Sequence, residues 1–134
     1  MKCQWIRAAF VAAVFFIFCQ QGISQPSAID SLSQIPVSAR DTSWVDQSLK
    51  ASYGVVYNDP PLSEKFLRVI YRTAEEKAFD NRKSRIRLNQ GIAKDVMNQP
   101  DSAIYYYDLG LAIAKERKDT AMMASAYNNI GLIH

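Results

Sequence analysis

The chain is poor in the side chains that build metal centres and nucleophilic sites. Its 134 residues include one histidine, His134, and two cysteines, Cys3 and Cys19, both within the first 20 positions. A single histidine excludes a His-rich metal site and a Ser/His/Asp triad within this chain. If the segment that carries the cysteines is removed, no thiol remains for a disulfide, a metal thiolate or a nucleophile. An excess of charge of one sign is missing too. Lys2 and Arg7 supply two of the three net positive charges, and from residue 25 onward 14 basic residues face 13 acidic ones. That balance gives no electrostatic reason to expect nucleic acid or an anionic membrane surface as partner. Gly54, Gly91, Gly110 and Gly131 are isolated, so no phosphate-cradling loop is formed. No catalytic residue, metal ligand or cofactor is expected. Nor does any strand-like alternation occur from Asp41 to the end.

What is present has the composition of one ordinary globular domain, with 49% hydrophobic and 22% charged residues. The first 24 residues stand apart. Residues 1–7 (MKCQWIR) carry two positive charges and no acid, residues 8–19 (AAFVAAVFFIFC) are apolar throughout, and QQGISQP then turns small and polar. This is the plan of a cleavable secretory signal peptide over residues 1–24, with Gly22 and Ser24 placing the cut before Gln25. Twelve apolar residues make roughly 18 Å of helix against a hydrocarbon core of roughly 30 Å, so a stable span is the weaker alternative. Lipidation of Cys19 is disfavoured by the bulky Phe16, Ile17 and Phe18 before it.

Residues 25–40 (QPSAIDSLSQIPVSAR) read as a linker with a sparse apolar set, Ile29, Leu32 and Ile35, enough for a helical turn or two. Beyond it apolar residues fall at helical spacing, as in Phe66, Leu67, Ile70, Tyr71 and Ala74. An ungapped offset of 40 residues then aligns Gly91 with Gly131, Asn89 with Asn129, Pro60 with Pro100, and Phe66–Leu67 with Tyr106–Tyr107. The period divides residues 41–134 into units 41–80 and 81–120 and a partial unit 121–134.

Each full unit splits into two helices at its proline, which ends one helix and suits the first turn of the next. The second helix of the central unit is predicted over about 100–117, with acid at its start and Lys115, Arg117 and Lys118 at its end. Asp119 and Thr120 are candidate N-caps for a last helix. Ala103, Tyr107, Gly110, Leu111 and Ala114 form one stripe, whose small residues permit close approach of a helix that carries Gly91. Replacing Gly131 by Leu, or Ala103 by Glu, is therefore expected to lower the melting temperature sharply. Since one helix pair cannot cover its own apolar faces, the pairs must stack, and the fold class is all-α, an α-solenoid of antiparallel helix hairpins.

The residues NQGIAKDVMNQPDSAIYYYDLGLAIAKERKDTAMMASAYNNIGLIH, from 89 to 133 and His134, resemble the tetratricopeptide repeat (TPR) in its 40-residue variety. Ile130-Gly131 and Gln90-Gly91 match its first helix, and Ala103, Tyr107 and Gly110 its second. The unit 41–80 matches less well, because Ala51 stands where Gly is expected. The resemblance implies a binding surface rather than an enzyme, with a peptide or protein segment held on the concave groove lined by first helices. In several 40-residue repeats of this family an Asn two positions before the helix Gly bonds a bound peptide backbone. Asn89 and Asn129 hold that position, and Arg85 and Ser125 lie one turn earlier on the same face.

Plainer roles are expected elsewhere. The run Arg82, Lys83, Arg85 and Arg87 reads as a solvated face paired with Glu75, Glu76 and Asp80; of Tyr105, Tyr106 and Tyr107, two are expected to point inward; His134 stands as a packing substitute for Tyr. The stop at His134, in mid-repeat, predicts a piece of a longer protein. Two readings of the whole follow. One is an exported interaction module in the bacterial periplasm or on the outer face of the inner membrane. The other is the sensory N-terminal region of a membrane histidine kinase or transcriptional regulator whose output domain, and any membrane helix, lie beyond this segment.

Overall fold

The computed structural model describes residues 27–133, and these are all-helical: no strand occurs among the described residues. Six helices follow one another: α1 (Ala28–Ser33), α2 (Thr42–Val55), α3 (Pro60–Glu76), α4 (Asp80–Val96), α5 (Pro100–Glu116) and α6 (Thr120–Ile133), with a 3₁₀ turn at Val37–Ala39 between the first two. The leader, residues 1–24, and His134 lie outside the described residues. No helix described is long and apolar enough to cross a membrane.

Helix starts follow from local chemistry. Pro60 and Pro100 open α3 and α5, where the missing N–H would have no helical partner. Asp41, Asp59 and Asp119 accept hydrogen bonds from the first-turn amides of Trp44, Leu62 and Met122, which have no helical acceptor, at 2.8, 3.0 and 3.1 Å. Asp119 is thus the cap of α6, and Thr120 its first residue.

Helix ends repeat every 20 residues. Ala78, Asn98 and Lys118 take left-handed backbone angles, with φ of 55°, 56° and 57°. After each, the next amide reaches back five residues: Phe79 to Ala74, Gln99 to Lys94, and Asp119 to Ala114, at 2.8–2.9 Å. Three Schellman turns of the same form therefore reverse the chain between α3 and α4, α4 and α5, and α5 and α6.

Each helix packs on its neighbour in sequence, and α4 also touches both α2 and α6. Ser84 lies opposite Gly110 and Gly91 opposite Tyr107, so α4 and α5 run in opposite directions. The contact stripe of α5 is the one its sequence indicates, with Ala103, Tyr107, Gly110, Leu111 and Ala114 buried. Gly91 is required there: a Cβ on it would lie 2.3 Å from Tyr107 Cε1. At Gly131, by contrast, an added Cβ meets nothing within 4 Å. The expectation that Gly131→Leu destabilises this chain through a helix contact is corrected on that ground, and the close approach belongs to Gly91.

Residues 27–40 pack on the first hairpin. Ile29 is buried, with Leu32 and Ile35 against the same core. Arg40 is buried beneath them: its Nε donates to the Ile35 carbonyl at 2.9 Å, its Nη1 to Thr73 Oγ1 at 2.9 Å, and its guanidinium stacks 4.4 Å from the centre of the Trp44 ring. Trp44 Nε1 in turn donates to the Leu32 carbonyl at 3.0 Å. Burial of this charge is offset by two hydrogen bonds and by the stack on the Trp44 ring.

Candidate functional site

The 40-residue register repeats a helix face, but not its polarity. On α2 that face carries Val45 and Leu49, both buried. Forty residues later, on α4, the same positions are Arg85, exposed, and Asn89, half-buried. Polar groups at this register keep their access to water, which the aliphatic pair does not need. A cleft of about 320 Å³ is lined by Arg85, Leu88, Asn89 and Ile92 of α4 and by Met122, Ser125, Asn128 and Asn129 of α6.

All four residues singled out by the family resemblance, Asn89, Asn129, Arg85 and Ser125, thus come together in one cleft. Neither Asn89 nor Asn129 hydrogen-bonds another side chain or backbone group among the described residues, so each amide offers a donor and an acceptor to the cleft. Ser125 is partly committed: its hydroxyl donates to the Ala121 carbonyl at 3.0 Å within α6. Asn128, one position before Asn129, joins the lining. Leu88, Ile92 and Met122 give the cleft an apolar side, suited to a ligand's side chains.

Beside this cleft Arg82 forms a two-point ion pair across to α2, with Nε and Nη2 at 3.2 and 3.0 Å from the two carboxylate oxygens of Asp46. The hydrogen bonds it donates to Asp46 hold the Arg82 guanidinium above its ordinary pKa. Lys83 pairs with Asp80 at 2.8 Å and, by that hydrogen bond, lowers the Asp80 carboxyl. The expected partners of the basic run are therefore corrected in part: Asp80 serves, whereas Glu75 and Glu76 form no ion pair among the described residues and Asp46 takes Arg82.

Arg87 belongs to no ion pair among the described residues. Its guanidinium lies 3.5 Å from the centre of the Tyr71 ring on α3 and 5.8 Å from that of Tyr106 on α5, and its Nη1 donates to Gln90 Oε1 at 3.1 Å. Sequence reasoning missed this arrangement. Its signal was the spacing of Arg68, Tyr71, Arg72 and Glu75 along one face of α3.

Two titrating groups are set by packing. Burial would raise the Glu64 carboxyl, but hydrogen bonds from Arg68 and Lys94 outweigh it and hold the group below its ordinary value of 4.5. Glu64 thereby ties α3 to α4, with Lys94 Nζ at 3.1 Å. Tyr107 is 1% exposed, and burial pushes its hydroxyl up to about 12. Of the tyrosine triplet, Tyr107 is buried, Tyr106 half-buried and Tyr105 exposed, two inward and one outward as the helical register requires.

No group of three or more His, Cys, Asp or Glu side chains that could hold a metal ion occurs among the described residues. Comparison with known proteins finds no match, whether among protein-family models, curated proteins or solved structures.

Proposed function

We propose that this chain is an exported, TPR-like helical array that binds an extended peptide or protein segment in the cleft between α4 and α6. The observation that carries the reading is the convergence of Asn89, Asn129, Arg85 and Ser125 on that cleft. An extended peptide presents alternating backbone donors and acceptors, and side-chain amides match both. The solenoid part of the reading is supported by neighbour-to-neighbour packing, by the added α2–α4 and α4–α6 contacts, and by the recurrence of the same reversal every 20 residues. Export rests on the pattern of residues 1–24 alone.

A random dodecapeptide display library panned against the chain tests the binding role. Enriched peptides are expected to lose about tenfold in affinity for Asn89→Ala and again for Asn129→Ala, the effect of one hydrogen bond left unmade at each position. If the enriched peptides bind the doubly substituted chain as tightly as the wild type, the cleft is not the binding surface.

A further inference from the structure

Positive charge gathers on the α3 side of α4, away from the α4–α6 cleft. Arg68 and Arg72 of α3 and Arg87 of α4 line a second, open cleft of about 490 Å³, together with Gln90, Tyr71 and Tyr106. Glu75 is the single carboxylate in the lining. Three guanidinium groups against one carboxylate leave a net charge of +2, and counting Glu64 with its second partner Lys94 leaves that excess unchanged. The rest of the chain nearly balances.

Two features distinguish this cleft from a solvated charged face. Arg87 is held in place before any ligand arrives, by its stack on Tyr71 and its bond to Gln90, while a guanidinium has five N–H donors and only one is engaged there. Gln90 is 3% exposed, and because its Oε1 accepts from Arg87, its Nε2 is the free end. That amide has no protein acceptor among the described residues. This donor lines the open cleft and, set among fixed and flexible guanidinium forks, suits a ligand made of acceptors with negative charge.

We propose that this cleft binds a dianionic phosphate group, either inorganic phosphate or a monoester, with Arg72 and Arg87 supplying fork donors and Gln90 Nε2 a further one. Tyr106 adds an apolar wall for the organic part of a monoester. The site shares no lining residue with the peptide cleft, so the two proposals stand or fall separately.

Calorimetric titration of the chain with inorganic phosphate and with phenyl phosphate, at constant ionic strength, is the test. Saturable binding of either probe is expected; equal affinity identifies free phosphate as the ligand, and tighter binding of phenyl phosphate identifies a monoester. Affinity for phenyl phosphate should rise between pH 5 and 7, as the second phosphate proton leaves near pH 6. Arg72 is exposed and forms no ion pair among the described residues, so Arg72→Gln keeps the fold and should weaken binding about tenfold. Glu75→Gln should strengthen it, and Lys65→Gln, at an exposed residue in neither cleft, should leave it unchanged. The proposal is overturned if neither probe gives saturable heat, or if Arg72→Gln and Lys65→Gln weaken binding equally, which would mark a diffuse charge effect.

Discussion

Gly91→Ala tests the helix packing most directly, because two effects of known size oppose each other at that position. In an open helical site the change stabilises by about 0.8–1.0 kcal/mol, since alanine has less backbone freedom to lose. At Gly91 the new Cβ would sit 2.3 and 2.4 Å from Cε1 and Cδ1 of Tyr107. The ring is 1% exposed and cannot swing into solvent, so it must displace its neighbours. Overpacking of this kind costs about 1–3 kcal/mol, and a contact so far inside van der Waals range belongs at the upper end. A net loss of about 2 kcal/mol remains, or about 7–9 °C in Tm for a chain of this size. Thermal melting followed at 222 nm by circular dichroism reads it. Two controls sharpen the sign. Gly54→Ala and Gly131→Ala meet nothing within 4 Å and should raise Tm slightly. The double substitution Gly91→Ala with Tyr107→Leu recreates the Ala51 and Leu67 found 40 residues earlier and should lose less than the two single changes added together. A Tm for Gly91→Ala at or above that of the wild type would refute the assigned contact.

Ala103 is fully buried on the same stripe, so Ala103→Glu places an unpaired charge in the core and should abolish the cooperative melt at pH 7. Ala78 is a non-glycine residue at φ 55°, and Ala78→Gly should stabilise by about 0.5–1 kcal/mol, read as a higher urea midpoint; a lower midpoint would contradict the left-handed reversal. Tyr107 stays protonated in the folded chain up to about 12 against an ordinary 10.0, so its contribution is complete below pH 10 and is lost as pH rises toward 12, with a slope of at most about 1.4 kcal/mol per pH unit. Tyr107→Phe should remove that alkaline loss, and urea midpoints measured from pH 9 to 12 that fall equally in both chains would show the shift to be wrong.

Much of the helical pattern was legible in the residues because its causes are local. Pro60 and Pro100 mark helix starts wherever the chain goes, Asp119 caps the amide of Met122 three positions on, and the stripe from Ala103 to Ala114 is a matter of 3.6 residues per turn. The 20-residue spacing of the left-handed reversals was harder to read, since Ala78, Asn98 and Lys118 share no side-chain type and none is glycine. The fate of residues 27–40 was hidden for a different reason: Arg40 and Trp44 look ordinary until Thr73 and the Leu32 carbonyl are brought to them.

Among the candidate site residues, the sequence alone determined which positions are equivalent, because a 40-residue period maps Asn89 onto Asn129 and Arg85 onto Ser125 with no knowledge of packing. Only the tertiary structure decided that these positions border a cleft, whereas Val45 and Leu49 at the same register are buried. Tertiary packing likewise laid Arg87 on Tyr71 and brought Gln90 into one cleft with three arginines. Periodicity is a property of one helix and can be counted along the chain. A cleft is a property of two or three helices at once, set by which side chains meet across a gap and whether water must leave it.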